Sequence, residues 1–200
     1  MLLTEETDVP AEALPVQSMK DHLRIGTGFS DDGMQDGLII GHLRAAIATI
    51  EARTGKALLA RRFKLRLDRW RDGRGGQALP VAPVAALVSV AIEAADGTVR
   101  TIDPASYRLV QDMARPRVVG AQMGFPALTE GSVVEIVFDA GFGTAWANVP
   151  ADLAQAVLLL AAEHYETRHD AGMTRAALPM AVHALIERWR TVRILGGGAA

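Results

Sequence analysis

The spacing of apolar residues changes twice along this chain, from helical to strand-like and back to helical, and that restricts the folds open to it. Val16 to Ile25 follows Pro15 and sets Met19 and Leu23 on one face of a short helix. A glycine-bearing link, Gly26 to Ser30, leads into a longer helix read from Asp31 to Thr54. Ser30 is suited to accept a hydrogen bond from a free backbone N–H, and Asp31 and Asp32 suit the positive end of a helix dipole. Ile39, Leu43, Ala46, Ile47 and Ile50 recur at helical spacing as one buried stripe, and Gly55 follows as a left-handed stop.

From Leu58 to Asp139 the repeat is that of a strand. Phe63, Leu65 and Leu67 alternate with Arg62, Lys64 and Arg66, the pattern of a half-buried strand. The alternation slips at Asp68-Arg69-Trp70, which predicts a bulge or a strand end. Arg71 to Gln77 reads as a loop. Val88, Val90 and Ile92 alternate again, Asp96-Gly97 is a hairpin turn, and Val99 to Ile102 returns. Tyr107 to Val110, Arg117 to Val119 and Val133 to Phe138 bring the expectation to about six antiparallel strands.

Helical spacing resumes after Pro150, placed at the first helical position. Leu153, Val157, Leu160, Ala161 and His164 share one face, with Leu158 and Leu159 broadening it. A final helix after Pro179 carries Val182, Leu185, Ile186 and Trp189 in one stripe. The expected fold class is α+β, a helical body from both ends of the chain with an inserted antiparallel β subdomain. Its parts are a flexible segment over 1–15, helices over 16–55, the β subdomain over 56–149, completing helices over 150–193 and a flexible tail over 194–200.

Composition narrows the function classes. Half of the 200 residues are apolar and 22% are charged, which suits a folded core and excludes wholesale disorder. A net charge of −2 argues against a surface built throughout to grip DNA. Without cysteine there is no disulfide framework, thiolate metal site or cysteine nucleophile. No apolar run is long enough for a membrane span, and the acidic opening is unlike a secretory signal, so a soluble protein of a cytoplasm, or of something assembled there, with no membrane partner, is expected. The basic residues are 18 Arg and 3 Lys, a bias that GC-rich coding produces without any functional demand.

No catalytic constellation emerges. There is no phosphate-cradling loop, no nucleophile elbow, no metalloprotease helix and no paired carboxylates in an apolar setting. Gly141-Phe142-Gly143 is a strand-exit turn rather than a dinucleotide loop, since it lacks a third glycine and a helix start. His164 and His169 fall on different faces of one helix, so they suit no shared metal, and His164 reads as a core or interface histidine satisfied by a neighbour. Glu163, Glu166, Arg168 and Asp170 read as a solvated face. The expectation is no enzymatic activity, no metal and no cofactor.

Two stretches point to partners instead. Arg61, Arg62, Lys64, Arg66, Arg69, Arg71 and Arg74 crowd one strand and its loop, beside only two acids. They read either as a patch for DNA or an acidic partner, the basis of an alternative nucleic-acid-binding function, or as edge-strand charges that block unwanted pairing. The acidic opening, with Glu5, Glu6, Asp8 and Glu12, is either complementary to such a patch on a neighbour or a mobile tail. At the other end, Trp189, Arg190, Arg193, Ile194 and Leu195 combine the residue types that dominate interface hot spots. The competing reading is a helix that caps its own core.

The order of these signatures resembles a known family. Pro15-x-x-x-Met19-Lys20-x-His22-Leu23-Arg24-Ile25 is followed by Asp31-Asp32 and by Ile50-Glu51-x-x-Thr54-Gly55. Leu79-Pro80-x-x-Pro83-Val84 comes next, then Val134-x-Ile136-x-Phe138-x-Ala140-Gly141-Phe142-Gly143. Val149-Pro150-x-x-Leu153-x-x-Ala156-Val157 and Tyr165-Glu166-x-Arg168 close the series. Together, over Pro15 to Arg190, they resemble the head–tail connector, or adaptor, proteins of long-tailed bacteriophages and phage-derived gene transfer agents. The order and spacing carry the likeness, since each motif alone is a cap or a turn. Sparse aromatics and the Gly-Gly-Gly-Ala-Ala end depart from the family. The resemblance implies a dodecameric ring of this chain below the portal protein, assembled in the bacterial cytoplasm and resident in the particle neck. It implies a stopper or tail-completion protein as the second partner, and DNA passing through the channel without sequence-specific binding. It transfers no catalytic residue. The portal-docking segment expected here is Trp189 to Leu195.

Overall fold

A computed structural model describes residues 1–25, 35–70, 76–121, 124–169 and 178–190. The described residues form four α-helices and eight strands, and from the first helix onward they follow the order the apolar spacing predicts: helices, then strands, then helices. The chain opens on a strand, β1 (Leu2–Glu5), followed by α1 (Val16–His22) and α2 (Asp36–Thr54). The strands β2 (Arg61–Leu67), β3 (Gln77–Ala78), β4 (Val84–Glu93), β5 (Val99–Thr101), β6 (Tyr107–Val110), β7 (Arg117–Gly120) and β8 (Val133–Ala140) come next. The helices α3 (Ala151–Glu166) and α4 (Met180–Ile186) complete the molecule.

The stripe of α2 is buried as its spacing requires, and Gly55 ends the helix at φ 68°, its N–H donating to the Glu51 carbonyl. With Met19 of α1, Leu153, Val157, Leu160 and Ala161 of α3, and Val182 and Ile186 of α4, this stripe forms a helical core. The start of α2 differs from expectation. The helix begins at Asp36 with Gln35 as N-cap, not at Asp31, and Ser30, Asp31 and Asp32 lie outside the described residues. Pro150 is also displaced by one position. Its ψ of 138° is extended, so it is the N-cap of α3 rather than its first helical residue.

All strand pairing is antiparallel. A five-stranded sheet runs β1-β2-β8-β4-β5 and a three-stranded sheet runs β3-β7-β6. The fold class is α+β with an inserted β subdomain. Alternation holds strictly in β2, where Phe63, Leu65 and Leu67 enter a second core with Val134, Ile136 and Phe138 of β8. Strand β2 ends at Leu67, where the pattern slips.

Three expectations are corrected. Val88 does not join Val90 and Ile92 inside; it is 43% exposed, because β4 shifts register between Leu87 and Ser89 and the extra residue turns outward. Among the described residues there are eight strands rather than about six, since the short β1 and β3 carry no readable alternation. The opening is not a loose tail, because β1 pairs with β2 from Leu2↔Arg66 to Glu5↔Phe63 and forms one edge of the large sheet.

Candidate functional site

The basic strand β2 lies between β1 and β8, so its cations meet carboxylates from both sides. Arg61 falls on the inner face and is not a surface residue: its side chain is only 6% exposed. Its guanidinium donates to both oxygens of Glu5, at 2.8 and 2.9 Å, and to both oxygens of Glu51, at 2.6 and 3.0 Å. It also donates to the Leu59 carbonyl at 3.3 Å and stands 4.9 Å from the centre of the Phe63 ring. Burial works against its charge, but the hydrogen bonds it donates to Glu51 and Glu5 outweigh that and raise its pKa above the ordinary arginine value. Glu51 also accepts from the Leu58 amide at 2.7 Å. One buried fork therefore ties β1 to the end of α2 and to β2.

On the outer face the cations form a ladder. Arg62 pairs with Asp139 directly opposite on β8, through bonds of 2.8 and 3.1 Å. Lys64 reaches Glu6 at 2.7 Å and Glu135 at 3.5 Å, and Arg66 reaches Glu93 of β4 at 2.5 Å. Attraction to these carboxylates raises the pKa of Arg62 and Lys64. Arg69 is exposed just past the strand, while Arg71 and Arg74 lie outside the described residues. An open phosphate-binding patch is therefore not what β2 presents: Arg61, Arg62, Lys64 and Arg66 are each matched by acids of the same chain. Glu5 and Glu6 pair within the chain, with Arg61 and Lys64. The expectation missed this because β1 was not legible as a strand.

The C-terminal elements are held by a residue that the sequence did not single out. Asp152, in the first turn of α3, accepts from the Trp189 indole N–H at 2.7 Å and from Arg188 at 2.6 Å. Burial pushes the Asp152 carboxyl up, but these donors and the Leu153 amide more than offset it, leaving its pKa below the usual carboxylate value. Trp189 meets Phe142 edge-on, ring centres 5.6 Å apart, and the Arg188 guanidinium lies over the Trp189 ring, 4.8 Å from its centre. Phe142 is presented by the strand-exit turn, where Gly141 has φ 136° and an added Cβ would lie 2.5 Å from Ala60. Trp189 is thus half-buried against its own core, and Arg190, exposed, pairs with Glu187 at 3.1 Å. Arg190 leaves in an extended conformation, and Arg193, Ile194 and Leu195 lie outside the described residues.

His164 is half-buried, its ring centre 6.4 Å from that of His42. Among the described residues no three His, Asp or Glu side chains are grouped to hold a metal ion, and no helix is long and apolar enough to cross a membrane.

No protein-family model matches the chain, and neither does any curated protein. Solved structures do. The chain is 52% identical to a component of the neck of an empty gene transfer agent (GTA) particle computed with C6 symmetry, with a TM-score of 0.87. It is 52% identical to a chain in the virion of a native gene transfer agent particle, with a TM-score of 0.86. To a component of the neck of a native GTA particle computed with C12 symmetry it is 48% identical, with a TM-score of 0.84. Each match covers 98% of this chain and 99% of the other.

Proposed function

The chain belongs to the neck proteins of gene transfer agent particles, and from that membership we propose that it is the head–tail adaptor of such a particle. In this reading a ring of twelve copies sits below the portal, extends the DNA channel and joins the head to the stopper and tail. The near end-to-end match to neck components computed with C6 and C12 symmetry carries the proposal. A ring closes through heterologous contacts, which need rigid, preformed lateral surfaces, and the two packed cores supply a body of that kind. DNA passes through the lumen without sequence-specific contacts, in keeping with the internal neutralisation of β2.

The portal contact is assigned to Trp189, Arg190, Arg193, Ile194 and Leu195. Asp152 and Phe142 anchor Trp189, so the segment starts from a fixed point. Burying the side chains of Ile194 and Leu195 contributes roughly 3–6 kcal/mol before ordering. Ordering costs about 1–2 kcal/mol per residue, so repetition around the ring is what makes attachment firm. Deleting residues 191–200 tests the assignment. The truncated chain is expected to fold and to be lost from portal-bearing heads; wild-type occupancy of those heads would rule the contact out.

A further inference from the structure

We propose that the free edge of β5, with the cleft beside it, is a β-addition site for an extended segment of another polypeptide of the particle, an inference that rests on the neck reading above. β5 is the last strand of the five-stranded sheet. The Ile102 amide donates to the Val90 carbonyl at 2.8 Å, and the Thr98 carbonyl accepts from Ala94 at 2.9 Å. Residues 98, 100 and 102 therefore face β4, and strand alternation turns the N–H and C=O groups of Val99 and Thr101 away from the sheet. Among the described residues, no hydrogen bond reaches those four groups. All of β5 is exposed, Val99 at 64%.

A cleft of about 770 Å³ runs beside this edge, lined in part by Arg100, Ile102, Phe125 and Pro126. Its far wall is braced: Phe125 stacks on Trp70 with ring centres 3.9 Å apart, and the Trp70 indole N–H donates to the Pro126 carbonyl at 3.0 Å. The opposite edge is protected differently, since Glu5 of β1 is folded onto Arg61 and Glu6 onto Lys64. β5 has no lysine, proline or bulge to deter pairing.

The occupant follows from what the edge offers. Outward amides and carbonyls call for a peptide main chain, as in strand addition to an exposed sheet edge. Arg100 and Ile102 share the inner face, and Arg100 has no ion pair among the described residues. The segment should therefore carry a carboxylate and, two residues away, an aliphatic side chain that packs toward Phe125. The β1 edge of a second copy fits poorly. Sheet twist turns β5 by roughly 80–100° from β1 over four steps of about 20–25°, whereas neighbouring copies of a twelvefold ring differ by only ~30°.

Hydrogen exchange on the free chain and on the chain in purified gene transfer agent particles tests the site directly. The Val99 and Thr101 amides are expected to exchange at least ~10-fold more slowly in particles, while Ile102 is protected in both states. Thr101→Pro removes an outward donor at an edge position that tolerates proline, and Val99→Lys places a charge on the edge. Each variant is expected to keep the wild-type Tm and to reduce occupancy in particles. Unchanged exchange at both amides, or wild-type occupancy by both variants, would overturn the inference. If Thr101→Pro fails to fold, Val99→Lys and the exchange data decide. Absence of the wild-type chain from particles would overturn the neck reading and this inference with it.

Discussion

Arg61 and Arg62 are neighbours of one residue type, yet the sheet assigns them opposite energetics. Arg61 is buried and holds two carboxylates, one of them, Glu51, only 13% exposed. Arg61→Ala would leave Glu51 unpaired in a low-dielectric setting, a loss of roughly 3–5 kcal/mol. Arg62→Ala breaks a solvent-screened pair that is at least one-third exposed on both sides, so its effect should be far smaller than that of Arg61→Ala. Urea unfolding of the two variants checks the contrast, and equal effects would contradict the clamp. Lys56 gives a pH-dependent counterpart. It is buried, and burial pushes its ammonium below the ordinary lysine value while Asp112 pulls it back up. A lysine with a lowered folded pKa costs stability while charged, and the cost is relieved as pH rises from that pKa toward the unfolded value near 10.4. Lys56→Met should therefore raise Tm at neutral pH, by an increment that shrinks toward alkaline pH. A lower Tm at neutral pH would show that Lys56 has a compensating partner.

Among the elements, the exit from β8 is the most constrained. Gly141 combines a φ that L side chains rarely adopt with a backbone approach to Ala60 that leaves no room for a methyl group. Its N–H donates to Pro83, and the turn carries Phe142 toward Trp189, so this short stretch couples the large sheet to the last helix. Gly141→Ala should cost at least roughly 1–3 kcal/mol from backbone strain alone. A thermal melt indistinguishable from wild type would show that the turn can relax. Sequence spacing identified β2, β8, α2 and α3 because each buries one face with an unbroken period. It misplaced Val88, because a bulge inserts one residue that no alternation announces. It missed β1 because four residues beside acids carry too little pattern, and strand pairing rather than local preference orders them.

For the molecule as a whole, folding and assembly should be separable. Trp189 and its partners Asp152 and Phe142 all precede residue 191, so deleting residues 191–200 should leave Tm within about 1 °C of wild type, as expected when no described core contact is lost. A large fall in Tm would mean that the tail stabilises the fold itself, and the occupancy test could no longer report on docking. From the first helix onward the order helices–strands–helices, the α2 stripe, the Gly55 stop and the absence of cysteine chemistry were determined by the sequence alone, because each depends on local spacing or on composition. The likeness to a component of gene transfer agent particles was also legible there, in the order of its caps and turns. Only the tertiary structure decided what the charges do. Whether the four cations of β2 face solvent or carboxylates depends on which elements flank it, and those partners lie from 10 to 77 residues away in sequence. Glu5, Glu51, Glu93 and Asp139 reach that strand through sheet pairing and helix packing, which set the distances that turn a basic run into a buried clamp and an ion-paired face.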